Sequence, residues 1–244
     1  MRALSADDII RVWEMGHRQN PAERALIVLA AACPSKSGDE LRRLSLGRRN
    51  GQLLEVRRRL FGSELSAFSE CPGCREPLEF GVPIDAVANV GAFPAANAVF
   101  TFESGGYVVR FRLLDSTDLG AAAAAADVNE ARHMLVDRCV LDTRRDDEVV
   151  KTADLPGPIL EQLITRLAEC DPQAETLIEL ACPACEYKWR APLDVASFCY
   201  MEISALARRL LREVHALARA YAWRELDILA MSAQRRDYYL GLLD

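Results

Sequence analysis

Eight cysteines carry the most distinctive chemistry of this sequence, and four of them form two matching pairs. The first pair is Cys71-Pro-Gly-Cys74 and the second is Cys182-Pro-Ala-Cys185. Two such pairs in one chain are typical of a zinc site with four thiolate ligands. The two-residue spacer lets the backbone turn so that both sulfurs of a pair face one ion at about 2.3 Å. Because four thiolates complete a tetrahedron, the sequence predicts one structural Zn²⁺.

The two pairs lie unusually far apart for a zinc ribbon. Cys182 follows Cys74 by 108 positions, where about 15–20 are usual. Doubling the length of a loop costs only about 0.6 kcal/mol, whereas zinc binding to small domains is worth on the order of 10 kcal/mol. A metal therefore tolerates the separation. We interpret residues 75–181 as a domain-sized insertion between two halves of one ribbon.

A short internal repeat follows the two cysteine pairs and supports a split ribbon. Each pair precedes a strand-like stretch and then proline, an aliphatic residue, aspartate and two small apolar residues, at residues 83–87 and 192–196. Within these repeats, Asp85 and Asp194 are candidate helix N-caps. The simplest arrangement places two matching knuckles on opposite sides of one ion.

Other roles for the paired cysteines stay open at this level. A thioredoxin-like redox pair has a helix beginning at its first cysteine, whereas both pairs here precede strand-like residues. Structural disulfides are disfavoured in a reducing compartment. Arg75 and Glu186 stand directly after the pairs, where glycine often eases the turn, and this counts against the ribbon. Lys188, Arg190 and Arg75 either offset the net −2 charge of a zinc tetrathiolate or are solvated strand residues.

Catalytic motifs are absent from the sequence. It contains no phosphate-binding loop, dinucleotide fingerprint, nucleophile elbow or His-Glu-x-x-His helix. His17, His133 and His215 lie in three unrelated predicted helices. Four single cysteines lie in helical patterns and predict core packing; they are Cys33, Cys139, Cys170 and Cys199. The sequence therefore predicts that the protein is not an enzyme.

The charge distribution disfavours nucleic-acid binding through the whole surface. The formal net charge is −6 at pH 7, and an acidic surface repels phosphates. One local exception lies between residues 41 and 60, where seven arginines accompany a single acid, Glu55. On a helical wheel, Arg49 and Arg57 fall into the apolar arc that Leu46 and Leu53 share. The segment is either a solvated amphipathic helix or a partner-binding face for protein or nucleic acid.

The elements that must position the cysteines follow from hydrophobic periodicity. The pattern predicts an α+β, mostly helical fold: a split zinc ribbon with an inserted α/β subdomain and a long C-terminal helical tail. We expect an N-terminal helical region over residues 1–65 and the split ribbon over 66–96 plus 171–195. The insertion over 97–170 begins with a β-hairpin, because residues 98–103 and 107–113 alternate around two glycines. The tail covers residues 196–244.

Neither the first residues nor the longest apolar run predicts export or a membrane span. The first residues, from Met1 to Asp8, contain no apolar stretch of the kind that a secretory signal requires. The longest apolar run covers residues 25–33 and ends at Pro34, about half of the roughly 18 residues that cross a bilayer. We therefore expect a cytoplasmic protein.

The order of motifs resembles the T-even-type phage baseplate hub assembly chaperone family, which also occurs with prophages and contractile injection systems. The resemblance covers most of the chain from about Leu53 and is most specific over residues 182–242. It rests on Leu60-Phe-Gly62, the two cysteine pairs, the alanine-rich residues 121–126, Asp194-Val-Ala-Ser-Phe198, residues 208–221, Trp223, Ile228-Leu-Ala-Met-Ser232 and Tyr239-Leu240.

The resemblance implies a non-enzymatic role in building the baseplate hub of a contractile tail. It implies baseplate hub or tail proteins as partners, in the bacterial host cytoplasm or within the virion or particle. One face of the C-terminal tail is then the expected contact with hub subunits, unless it packs onto the chain's own body; this face comprises Leu210, Val214, Leu217, Tyr221 and Trp223. The alternative function is a zinc-ribbon nucleic-acid-binding or transcription-associated module.

Overall fold

The computed structural model describes residues 1–88, 93–95, 97–146 and 148–243. The fold is α+β, about 52% helical, with small antiparallel sheets. The predicted fold class is thus confirmed at this level. The chain divides into two compact units. The first unit comprises Met1–Lys36 and Ala196–Asp244, and the second comprises Ser37–Val195.

Helices and short antiparallel strands alternate along the chain. The helices are α1 Ala6–Gly16, α2 Pro21–Ala32, α3 Gly38–Arg42, α4 Leu46–Phe61, α5 Ile84–Val87, α6 Ser116–Ala122, α7 Val128–Cys139, α8 Gly157–Cys170, α9 Val195–Tyr221, α10 Glu225–Leu229 and α11 Ala233–Leu240. The strands are β1 Glu64–Glu70, β2 Pro77–Pro83, β3 Val99–Ser104, β4 Tyr107–Arg112, β5 Val140–Arg145, β6 Glu148–Val149, β7 Leu177–Ala181 and β8 Lys188–Pro192.

The first unit is built from helices whose first turns are capped by side chains. The Ser5 hydroxyl accepts a hydrogen bond from the Asp8 N–H, and the Asp8 carboxylate accepts one from the Ser5 N–H, which closes a capping box at α1. Asn20 caps α2, with proline at the first helical position. Helix α1 packs against α2 and α10.

Helix α9 is the longest element, with 27 residues. Its buried side chains recur at helical spacing and include Cys199, Ile203, Leu210 and Leu217. The helix ends at Tyr221 because Ala222 adopts φ 55°, the left-handed conformation that L-residues rarely continue.

The second unit contains a four-stranded antiparallel sheet in the order β3-β4-β5-β6. The predicted hairpin is its β3–β4 pair, with Ser104 opposite Tyr107. Helices α7 and α8 supply buried side chains to the core over one face of this sheet. That core comprises Phe102, Tyr107, Val109, Phe111, Val136, Cys139, Leu155, Ile159 and Leu163.

One local prediction in the second unit is wrong. Asp85 does not cap α5, because the cap position is Pro83 and Asp85 lies within the helix.

Helix α4 runs unbroken from Leu46 to Phe61 although it contains Gly47 and Gly51. These glycines mark close approaches: a side chain at Gly47 would collide with Asp171, and one at Gly51 would lie 2.6 Å from the Phe93 ring.

Candidate metal centre

Each cysteine pair lies in the turn of a separate two-stranded hairpin. In the first hairpin, β1 pairs with β2 and the last register pair is Glu70 with Pro77, so Cys71 to Cys74 form the turn. In the second, β7 pairs with β8 and ends at Ala181 opposite Lys188. We call these hairpins, with their turns, the first and second knuckles.

The first knuckle has a tight backbone turn. The Cys71 N–H donates a hydrogen bond to the Glu76 carbonyl at 2.9 Å, and the Arg75 N–H donates one to the Cys71 carbonyl at 2.8 Å. Closing the turn this way requires a left-handed residue directly after the second cysteine. Arg75 fills that position with φ 63°, at a cost of about 1–2 kcal/mol for a non-glycine residue.

The second knuckle repeats the first. The Cys182 N–H donates to the Tyr187 carbonyl at 2.9 Å, and the Glu186 N–H donates to the Cys182 carbonyl at 2.9 Å. Glu186 has φ 59°. The glycine that the sequence lacks after each pair is thus replaced by a strained arginine and a strained glutamate. Two segments 108 positions apart therefore adopt the same turn.

The turns bring all four thiols together. The Sγ atoms of Cys71, Cys74, Cys182 and Cys185 all lie within 4.8 Å of one another. Two of these distances join different knuckles: Cys71 Sγ to Cys185 Sγ and Cys74 Sγ to Cys182 Sγ, both 3.6 Å. A regular tetrahedron with metal–sulfur bonds of about 2.3 Å has edges of about 3.8 Å. The four sulfurs thus fit one tetrahedral ion.

Burial is distributed symmetrically over the two knuckles. The first cysteine of each pair is buried, with Cys71 1% and Cys182 2% exposed. The second cysteine of each pair, Cys74 or Cys185, is exposed to solvent. All four are free thiols, since a disulfide requires a sulfur separation near 2.05 Å. The site is therefore half embedded and half accessible.

The four thiols also affect each other's protonation. Burial raises the pKa of Cys71, but N–H groups of its own knuckle and thiols of the other knuckle lower it to about 7. The Glu76 N–H lowers the pKa of Cys74, whereas the neighbouring thiols and burial raise it, to about 12. A cation that binds all four as thiolates must therefore displace protons, which makes its affinity depend on pH.

The charged residues near the knuckles are exposed. Arg75, Lys188 and Arg190 are all solvent-accessible. In the described part of the chain, none of these three side chains takes part in an ion pair. Their charges are thus free to offset a negative centre, and their exposure also agrees with simple solvation.

A buried polar network, which sequence analysis did not find, holds the ends of both knuckles. The Gln173 Nε2 donates to the Val87 carbonyl at 3.1 Å and to the Thr176 hydroxyl at 2.7 Å. Val87 ends the helix after the first knuckle, and Thr176 precedes the strand that begins the second. The Asn50 amide of α4 in turn donates to the Gln173 carbonyl at 3.1 Å.

Asp171 ties the same network to the start of α4. Its Oδ2 accepts a hydrogen bond from the Gly47 N–H at 2.9 Å, and its Oδ1 accepts one from the Ser45 hydroxyl at 3.3 Å. Burial raises the pKa of Asp171 despite these bonds and the nearby charge of Arg49. Arg49, which breaks the apolar arc in the sequence, is itself buried. The position of Arg49 in an apolar arc was the feature of the sequence that pointed to a buried polar network here.

The residues of the predicted partner-binding face differ in their exposure to solvent. Leu210 and Leu217 are buried, whereas Val214, Tyr221 and Trp223 are half-buried. The Tyr221 and Trp223 rings stack with centroids 4.5 Å apart. Among the described residues, the other four cysteines join no group with metal-ligand spacing.

Comparisons with known proteins do not assign the chain to a class. Protein-family models, curated proteins and solved structures all yield no match. No helix in the described ranges has the length and apolar character needed to cross a membrane. The four-cysteine cluster is therefore the feature from which a function can be inferred.

Proposed function

We propose that Cys71, Cys74, Cys182 and Cys185 hold one structural Zn²⁺ and form a split zinc ribbon. The observation that carries this proposal is the approach of their four Sγ atoms to within 4.8 Å. Soft thiolates in a tetrahedral set favour zinc over hard cations such as Mg²⁺ or Ca²⁺. Four protein ligands leave no coordination position for water, so the bound ion supplies a cross-link rather than a reaction.

The cross-link matters because the knuckles have little core of their own. In β1 only Leu65 is fully buried, and in β7 only Ile178 is. A two-stranded hairpin is marginally stable by itself in water. Zinc binding free energy is available to folding when the site does not exist in the unfolded chain. The ion would therefore stabilise two hairpins that apolar burial alone does not.

We also propose that the chain is a non-enzymatic assembly factor or structural component of the baseplate hub of a contractile phage tail or phage-tail-like injection system. This proposal rests on the order of motifs from Leu53 onward, above all over residues 182–242. A closed, structural metal site supports it, since such a site stiffens a binding scaffold without providing catalysis.

The contact surface for hub proteins would lie at the end of the C-terminal tail. Leu210 and Leu217 are buried, which leaves the aromatic residues around Trp223 as the accessible part of the expected face. Tyr239 packs edge-on against Trp223 at 4.8 Å, and the neighbouring Tyr238 is 68% exposed. Aromatic residues are enriched in protein interfaces and depleted elsewhere on surfaces.

Nucleic-acid binding has weaker support. Two of the seven arginines between residues 41 and 60, Arg49 and Arg57, are buried. Two more are engaged by acids: Arg59 Nε lies 2.7 Å from Glu55, and Arg58 Nε lies 3.3 Å from the same carboxylate. A phosphate-binding surface needs several unpaired cations on one face.

Two measurements test these proposals with the full chain. Elemental analysis of anaerobically purified protein should give one zinc per chain, and no bound zinc would overturn the metal proposal. Tagged protein, coexpressed with the structural genes of a contractile tail, should capture a hub subunit. Tyr238→Asp should reduce capture at least tenfold, whereas Val128→Asp, at a position 84% exposed in the other unit, should not. Capture of no tail protein, together with normal tail assembly without this chain, would refute the baseplate role.

A further inference from the structure

The four sulfurs form two pairs, and each pair joins the two knuckles. Cys185, which is exposed, lies 3.6 Å from Cys71, which is buried. Cys74, which is exposed, lies 3.6 Å from Cys182, which is buried. Each accessible sulfur therefore has an inaccessible partner in the opposite knuckle. Thiols that respond to oxidants typically combine an accessible sulfur with an adjacent resolving sulfur.

We propose that this centre is also a site of oxidative modification, at which a peroxide converts the two cross-knuckle pairs into disulfides and releases the ion. The inference rests on the proposed zinc site, because the zinc form is its reduced state. The accessible sulfurs, Cys74 and Cys185, react first with peroxide. The buried sulfurs, Cys71 and Cys182, then resolve the oxidised intermediates.

The chemistry balances for each pair with one peroxide. The Cys185 thiolate attacks hydrogen peroxide, an S–O bond forms and the O–O bond breaks; the sulfur loses two electrons to the peroxide. The leaving hydroxide takes a proton to become water, and Cys185 becomes a sulfenic acid. The Cys71 thiolate then attacks that sulfur, an S–S bond forms and the S–O bond breaks. The second hydroxide leaves and also takes a proton to become water.

The pairing decides what oxidation does to the fold. A bond between Cys71 and Cys185 joins residues 114 positions apart, as the metal does. A bond between Cys71 and Cys74 would instead leave the two knuckles untied. The geometry favours the first outcome because the short sulfur distances cross between the knuckles. Each disulfide removes two ligands, so zinc leaves while the covalent tie remains.

Peptide mapping of the full-length, zinc-loaded protein tests this inference. Protein is treated anaerobically with hydrogen peroxide, zinc release is followed with a chromogenic chelator, and disulfides are mapped without reduction. We expect one zinc released per chain, together with Cys71–Cys185 and Cys74–Cys182 bonds. Disulfides within a knuckle, or sulfinic acids without disulfides, would overturn the proposal.

Trapping of sulfenic acid in the wild-type, zinc-loaded protein separates the roles of accessible and buried sulfurs. Hydrogen peroxide is added below one equivalent per chain in the presence of dimedone, and the labelled cysteines are mapped. Dimedone should label Cys74 and Cys185, which are exposed, and leave the buried Cys71 and Cys182 unlabelled. Labelling mainly on Cys71 or Cys182 would overturn the assignment of resolving residues.

Zinc content, measured on the purified protein before oxidation, distinguishes failure of this inference from failure of the zinc proposal. Cross-knuckle disulfides in protein that was purified without zinc would support the pairing and contradict the metal site. Stoichiometric zinc followed by disulfides within each knuckle would support the metal site and contradict the pairing.

Discussion

The two compact units are stabilised by contacts of different kinds. In the first unit, long helices bury apolar side chains at regular spacing, and one buried ion pair joins Glu213 of α9 to Arg236 of α11 at 2.8 Å. In the second unit, the knuckles depend on contacts between remote segments: the cysteine cluster and the network around Gln173. The first unit thus relies on continuous helical surfaces, and the knuckles of the second unit rely on a few specific cross-links.

This difference predicts which single substitutions should reduce stability most. A helix such as α9 distributes its stability over many buried positions, so losing one contact leaves the others in place. A two-stranded knuckle has one fully buried residue in its first strand. It therefore has few other contacts that could compensate for a lost one. We therefore expect the largest effects at the cysteines, smaller ones at buried ion pairs, and the smallest at the strained turn residues.

The largest effect is expected for Cys182→Ser, which removes one ligand from the cluster. Since structural zinc contributes on the order of 10 kcal/mol, bound zinc should be lost and both knuckles should unfold. Helix α9 should keep its structure. Hydrogen exchange checks this by comparing amides of β1, β2, β7 and β8 with those of α9. Cys170→Ser, outside the cluster, is the control and should retain zinc; unchanged protection in Cys182→Ser would contradict the prediction.

Asp118→Asn should produce the next largest effect, within the second unit. The fully buried carboxylate accepts hydrogen bonds from Arg112 at 2.7 Å and from Arg138 at 2.8 Å. Breaking a buried pair costs about 3–5 kcal/mol, and we expect about 3 kcal/mol from denaturant unfolding. Asp171→Asn, which keeps an acceptor for the Gly47 N–H, should cost less than about 1 kcal/mol. Equal losses in the two variants would contradict this difference.

The same pair of aspartates predicts opposite pH dependences. Burial raises the pKa of Asp118, but the hydrogen bonds from Arg112 and the Asp115 N–H outweigh it and leave the pKa below its ordinary value. Its stabilisation is therefore present above about pH 4 and is lost as pH falls through the folded-state pKa. The pKa of Asp171 is raised, so its contribution weakens as pH rises. Asp118→Asn should thus flatten the acid limb of stability.

In the first unit, Arg236→Met should lower stability by about 2 kcal/mol. It leaves Glu213 buried with Arg209 at 3.2 Å as its remaining cation. Thermal unfolding should show the loss, while zinc content stays unchanged. The double variant Glu213→Gln/Arg236→Met should recover most of it, because no uncompensated charge is left. Loss of zinc in Arg236→Met would contradict the expectation that this ion pair stabilises only its own unit.

The smallest effect should be stabilising and should appear equally in both knuckles. Arg75→Gly and Glu186→Gly relieve the left-handed conformations at φ 63° and 59°. Relief of about 1–2 kcal/mol, less the entropy that glycine loses on folding, leaves a gain of about 0.5 kcal/mol. Glu79→Gly, in the strand β2, should destabilise instead. A loss of stability in either turn variant would show that the two knuckles are not equivalent.

The local features of this protein follow from its sequence. Ser5, Asn20 and Ser232 cap helices, and such caps are local because a capping side chain bonds a backbone group two or three residues away. The two cysteine pairs can also be recognised from the sequence, because each pair lies within one local turn. Their approach could be expected only from the chemistry of a shared ion, and the structure places them together.

The contacts that hold the knuckles, and the reason why α4 contains Gly47, became visible only in the folded chain. Asp171 bonds Gly47 across 124 positions, and Gln173 bonds Val87 across 86. A local sequence pattern does not predict such partners, because a buried polar group needs a hydrogen-bond partner but that partner can come from any part of the chain. In the sequence alone, Gly47 suggests a weak point in a helix. In the folded chain, the absence of a side chain at Gly47 leaves room for the Asp171 carboxylate.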